Sequence, residues 1–187
     1  MNIPDRVAAA QAAARDAGFE LSCDPRVGEL LSVLSAAVRH GGSILELGTG
    51  AGVGLAWIVA GLGDRTDVSV TSVDIDPQLV RVAASLDLPD YVDVLVADGV
   101  DLLSAESRWS LIFADAPAGK WDGLDQTIAA LDPGGILLVD DMTPPEFVSD
   151  LHRNKTIEAR ETLLSDARLR SVEIDWASGL IMCARTS

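Results

Sequence analysis

Glu46, Asp74, Asp98, Asp115 and the pair Asp140-Asp141 each stand at or just after the end of a short apolar run. Between the first two lies Gly48-Thr49-Gly50-Ala51-Gly52. Glycines in such a loop let the backbone turn sharply and approach a ligand with no Cβ in the way. Carboxylates gathered near it repel one another, and a hard divalent cation would relieve that repulsion. Polar residues also begin wherever a strand leaves a core, which accounts for one or two of these acids but less well for five in succession.

The elements that would position them alternate. Residues 1–17 read as a short Ala-rich helix. Asp24-Pro25 supplies a cap followed by proline at the first helical position, and Val27, Leu30, Leu31, Leu34 and Val38 recur at helical spacing until Gly41-Gly42. Strands are expected at 44–47, 68–73, 92–96, 111–114 and 136–139. Helices are expected at 53–60, closed by Gly61, after Asp76-Pro77, and through Trp121, Leu124, Ile128 and Leu131, with Asp132-Pro133-Gly134-Gly135 as a turn. Short apolar strands separated by helices predict a parallel sheet covered on both faces, wound in the right-handed sense. After a polar helix at 155–164, strands at 169–175 and 180–185 are joined only by residues 176–179, which forces a hairpin and one antiparallel strand. In such a sheet ligands bind outside the carboxyl ends of the strands, where the acids fall.

The chain has 187 residues, a single-domain size, with residues 1–23 as a helical extension. Its 48% apolar content suits a globular fold, and no apolar run approaches the roughly 20 residues of a membrane span. No signal-peptide pattern is visible, so a cytoplasmic location is expected. The formal net charge of −15 disfavours nucleic acid and anionic membranes as partners and favours a small molecule. Cys23 and Cys183 match no metal spacing and read as reduced thiols. A dinucleotide fingerprint would place its third glycine at position 53, which is Val53, so a nicotinamide-dependent oxidoreductase is disfavoured.

The stretch Ile44-Leu45-Glu46-Leu47-Gly48-Thr49-Gly50-Ala51-Gly52 resembles the first motif of the class I S-adenosylmethionine (SAM)-dependent methyltransferases. Asp74, in Val73-Asp74-Ile75-Asp76-Pro77, matches that family's acid for the ribose hydroxyls, and Asp98, in Ala97-Asp98-Gly99, matches the acid near the adenine amino group. The resemblance implies a Rossmann-like, doubly wound, mostly parallel seven-stranded sheet with a C-terminal antiparallel hairpin. It also implies SAM bound by Glu46, Gly48, Thr49, Gly50, Gly52, Asp74, Ile75, Asp98, Gly99 and Asp115. Methyl would pass to a small-molecule acceptor, at a hydroxyl oxygen.

From Asp24 to Arg185 the chain is similar to the metal-dependent catechol and caffeoyl-CoA type O-methyltransferases. Asp24-Pro25-Arg26-Val27-Gly28, Asp132-Pro133-Gly134-Gly135, Ser165-Asp166-Ala167-Arg168-Leu169 and Ser178-Gly179-Leu180 carry the likeness. It implies Mg²⁺ or Ca²⁺ on Asp115, Asp140 and Asp141, with Asp141 where that group has Asn, and it leaves a homodimer open. The group's candidate base, a lysine, falls at Ala118; Lys120 lies two residues beyond, as a displaced catalytic base beside Asp115 or as a solvated lysine. The segment before Asp24 is shorter than in that group, and Met142-Thr143-Pro144-Pro145 replaces its apolar and aromatic residues, with Pro144-Pro145 expected to be extended. His40 reads as a structural helix end, His152 as a solvated face and Trp121 as core. A metal-independent transferase acting on another oxygen or nitrogen, and a SAM-binding protein without catalysis, remain as alternatives.

Overall fold

The computed structural model describes residues 3–103, 106–143 and 148–186. Seven strands form one sheet: β1 (Ser43–Leu47), β2 (Ser69–Asp74), β3 (Val92–Val96), β4 (Trp109–Ala114), β5 (Leu131–Val139), β6 (Leu169–Ile174) and β7 (Leu180–Arg185). Their order is β3-β2-β1-β4-β5-β7-β6. Pairs from β3 through β5 are parallel, whereas β7 runs antiparallel to both β5 and β6. The doubly wound sheet and its terminal hairpin are as expected, with β7, the last strand, inserted between β5 and β6.

Strand alternation divides the core in two. Ile44, Leu111, Phe113 and Leu138 pack on one face with α1 (Asp5–Asp16), α2 (Pro25–Ala37) and α3 (Val53–Leu62). Leu45, Leu47, Ile112, Ala114, Leu137 and Val139 pack on the other with α6 (Leu124–Ala130) and α7 (Asp150–Ser165). The α4 helix (Pro77–Ala84) follows β2, capped by Asp76, whose side chain accepts from the Gln78 N–H. Asp24 caps α2 through the Arg26 N–H in the same way. Edge strand β3 is less covered than expected, with Leu95 and Val96 exposed.

Several boundaries differ for physical reasons. Helix α2 ends at Ala37, before Gly41-Gly42. Gly61 lies inside α3, and Gly63 ends it, because Gly61 is where α2 presses against α3: a Cβ there would collide with the backbone of Ser32. The Gly61→Ala variant is expected to be destabilised overall, because overpacking against backbone costs about 3 kcal/mol, more than the roughly 1 kcal/mol gained in helix propensity. A urea midpoint equal to the parent's would contradict this contact. Strand β5 begins at Leu131 and runs through Asp132-Pro133-Gly134-Gly135, with a register shift against β4 between Trp109 and Leu111. Helix α7 starts at Asp150, five residues before the expected start, capped by the Ser149 hydroxyl. Pro144-Pro145 lies outside the described residues. Among the described residues no helix is long and apolar enough to cross a membrane.

Candidate functional site

The ladder hydrogen bonds continue past the strand ends and align the acids. The Gly48 N–H donates to the Val73 carbonyl, the Asp115 N–H to Leu47 and the Asp140 N–H to Ala114, at 2.9, 2.9 and 3.1 Å. One row at the carboxyl edge of β2, β1, β4 and β5 therefore carries the glycine loop and the acids. It forms a wall of a cavity of about 590 Å³ lined by Glu46, Gly48, Asp74, Asp115, Asp140 and Asp141 among others. Phe19 through Asp24, the segment between α1 and α2, line the cavity too, as do Ala177 and Ser178 from the β6–β7 turn. That volume lies in the range of small-molecule sites, roughly 300–1,000 Å³.

Two loop glycines are required by contact. Gly48 has φ +103, and a Cβ on it would lie 2.8 Å from the Asp115 carbonyl oxygen. Gly50 has φ +50, and a Cβ on it would lie 2.8 Å from the Phe19 ring. The Gly50 N–H donates to Asp74 Oδ2 at 2.8 Å and the Asp76 N–H to Asp74 Oδ1 at 3.0 Å. Asp74 thus holds the loop in shape, while each of its oxygens keeps a lone pair for a ligand.

Glu46 is wholly buried in β1, on the face covered by α3. Its register partner on β2 is Ser72, whose hydroxyl donates to Glu46 Oε2 at 2.5 Å and lies 2.5 Å from the Thr49 hydroxyl. Glu46 Oε1 is buried with no hydrogen-bond partner. Burial, and to a lesser degree the nearby Asp74 carboxylate, push the Glu46 carboxyl up to about 8 against the Ser72 hydrogen bond. Its ordinary value is 4.5, so between about pH 4.5 and 8 the folded chain keeps a proton that the unfolded chain has released. Stability therefore falls as pH rises through that window. The Glu46→Gln variant is expected to gain on the parent across it, by a few kcal/mol near pH 8 and little at pH 4.5. Ligand-free thermal melts at both pH values test this, and parallel pH profiles would refute it.

Burial likewise raises Asp115, reinforced by Asp140 and Asp141 and opposed by Lys120. Asp140 is raised by burial, against hydrogen bonds from the Ser178 hydroxyl and the Asp141 N–H. Both donors reach Asp140 Oδ1, at 2.7 and 2.6 Å. Asp141 adopts φ +59 and aims Oδ2 at Lys120 Nζ, 3.3 Å away.

The solvated reading of Lys120 is overturned. Its side chain is only 3% exposed, because α5 (Pro117–Lys120) is broken at Ala118 and Gly119, with φ +80 at Gly119, and turns Lys120 inward. Lys120 Nζ donates to the Asp140 carbonyl at 3.0 Å, and Lys120 is not on the cavity wall. Trp121, in the turn before α6, is partly covered and packs against the core on that face of the sheet. It meets the His152 ring edge-on at 4.6 Å, so His152 is not simply a solvated face. His40 is exposed beside Asp67, and both cysteines are buried and free.

Most of the sequence-predicted site residues meet at the cavity: Glu46, Gly48, Thr49, Gly50, Asp74, Ile75, Asp115, Asp140 and Asp141 all line it. Gly52 caps α3 from behind, and Asp98 caps a 3₁₀ turn through the Val100 N–H, with Gly99 buried beside it; none of these three lines the cavity. A divalent ion does not fit the residues as they stand. Asp140 Oδ1 is committed to Ser178 and the Asp141 amide, and Asp141 is turned to an ammonium. Among the described residues no group of three or more His, Cys, Asp or Glu could hold a metal ion. Sequence reasoning missed Phe19, Cys23, Ser72 and Ser178; only strand register, for Ser72, could have signalled any of them.

The methyltransferase domain family matches residues 45–142. A Mycobacteroides abscessus protein named as a candidate O-methyltransferase is 31% identical over 93% of this chain and 87% of its own length. One from Mycobacterium sp. (strain JLS), named likewise, is 29% identical over 96% and 86%. Among solved structures, a Corynebacterium glutamicum protein aligns with TM-score 0.84 at 22% identity, over all of this chain and 92% of the other. A Bacillus cereus O-methyltransferase in complex with S-adenosylhomocysteine aligns with TM-score 0.83 at 19% identity, over 100% and 93%.

Proposed function

This chain belongs to the methyltransferase domain family, and from that premise we propose that it transfers the methyl group of SAM to a hydroxyl oxygen of a small-molecule acceptor. One observation carries the reading: a glycine-lined cavity at the sheet's carboxyl edge whose acids match the charges of SAM. SAM supplies an electrophilic methyl group on a positively charged sulfur and carries an ammonium and a ribose diol. Asp74 accepts from the ribose hydroxyls, and Gly48 and Gly50 let the backbone lie against the ligand. The unpartnered Glu46 Oε1 accepts from the ammonium. Ile75, exposed on the cavity wall, would hold the adenine together with Asp98 and Gly99.

Asp115, between Glu46 and Asp140 on the wall, faces the reacting centre. Bound SAM would supply the methyl group, the new oxygen–carbon bond forming as the carbon–sulfur bond breaks to leave S-adenosylhomocysteine. The hydroxyl proton passes to the Asp115 carboxylate. Burial favours its protonated form, which makes Asp115 a stronger base than an ordinary aspartate. Placing the oxygen in line with the sulfur supplies much of the remaining rate.

Incubation with SAM and a panel of phenols, vicinal diols, carboxylic acids and amines tests this. Acceptor-dependent formation of S-adenosylhomocysteine with an O-methyl product is expected. Binding of SAM without turnover on any member would leave a binding protein, and N-methyl products alone would move the acceptor to nitrogen.

A further inference from the structure

Lys120 is a buried cation that the methyl transfer does not use directly. An ammonium withdrawn from water costs several kcal/mol unless its partners compensate. Here they are the Asp140 carbonyl at 3.0 Å, the Asp141 carboxylate at 3.3 Å and the Trp121 ring, 5.4 Å from Nζ to its centroid. The first two belong to the residues that close the cavity beside Asp115. Asp141 sits at φ +59, a left-handed conformation that residues other than glycine adopt uncommonly, Asp more readily than most. Its carboxylate is half exposed, yet it points at the buried ammonium. Lys155 Nζ also lies over the Trp121 ring, 5.7 Å from its centroid, but it is paired with Asp122 at 3.1 Å and not with Asp141.

We propose that Lys120 is the resident cation of the site: by bridging the Asp140 carbonyl and the Asp141 carboxylate it balances and positions the Asp115–Asp140–Asp141 cluster, so that the site works without a divalent ion. Lys120 is a positioning residue, acting through Asp140 and Asp141. The consequence is a substrate class. With no ion to chelate, the acceptor needs one reactive hydroxyl and not a vicinal pair. This inference rests on the methyltransferase reading for its acceptor, but its metal half can be tested without one.

The test is calorimetric titration of MgCl₂ and CaCl₂ into full-length protein saturated with S-adenosylhomocysteine, for the parent and for Lys120→Met. The parent is expected to show no saturable binding in the millimolar range, and its turnover to survive a chelator. Lys120→Met is expected to bind S-adenosylhomocysteine within about threefold of the parent while kcat falls about tenfold or more. Saturable metal binding by the parent, loss of its turnover with a chelator, or an unchanged kcat in the folded variant would each overturn the proposal. If Lys120→Met does not fold, the parent's metal titration and chelator assay still decide. Failure of the parent to bind S-adenosylhomocysteine would instead remove the methyltransferase reading, so the two failures are distinguishable.

Discussion

Asp74→Ala is expected to bind S-adenosylhomocysteine about a hundredfold more weakly than the parent. Hydrogen bonds to a charged acceptor contribute about 1.5–3 kcal/mol each, and the variant loses two to the ribose. Each 1.4 kcal/mol is tenfold in affinity, so the pair accounts for about two to four orders of magnitude, and a hundredfold is the lower end of that range. Asp74 also holds the Gly50 and Asp76 amides, so part of the loss could come from a slackened loop. Asp74→Asn separates the two effects: its carbonyl can still accept from one amide, but it has lost the charge that strengthens the ribose contacts. Calorimetry on both variants, with ligand-free melting temperatures as control, checks the assignment. An affinity within threefold of the parent in Asp74→Ala would contradict a ribose at this position.

Asp115→Asn should lower kcat by about 10²–10⁴, the usual contribution of a positioned base, with affinity for S-adenosylhomocysteine nearly unchanged. The same burial and like charges that raise the Asp115 pKa predict the pH profile. Proton acceptance needs the carboxylate, so parental kcat rises with pH as Asp115 ionises, and this limb disappears in the variant. Stability should move the other way. The parent holds this carboxyl with a raised pKa and so loses stability as pH climbs above the ordinary value of 3.8; the neutral amide does not. A variant with parental kcat would require another proton acceptor.

Much of this site was legible because a parallel sheet converts linear spacing into a row. Each crossover returns the chain to the same edge, so acids placed just after successive apolar runs must become neighbours. Glu46, Asp74, Asp115 and Asp140 follow that rule. What failed to show depends on contacts between segments distant in sequence. The Ser72–Glu46 hydrogen bond exists because β1 and β2 pair in a register that places these two residues side by side. The wall from Phe19 to Asp24 has no periodicity, and its place follows from how α1 and α2 pack on α3. Lys120 read as solvated because three residues, Ala118 to Lys120, do not reveal which way a broken turn points. With φ +80 at Gly119, the side chain goes inward. Gly61 read as a stop for a similar reason: a glycine that ends a helix and one that admits another helix are the same letter.

On this reading the cavity between the glycine loop and the Asp115–Asp140 edge binds SAM. The most direct measurement is calorimetric titration of SAM into the parent protein, paired with its melting temperature at saturation. Saturable one-to-one binding is expected, with about 2.7 kcal/mol of added stability once ligand stands a hundredfold above the dissociation constant. Absence of both binding heat and a thermal shift at millimolar SAM would contradict it.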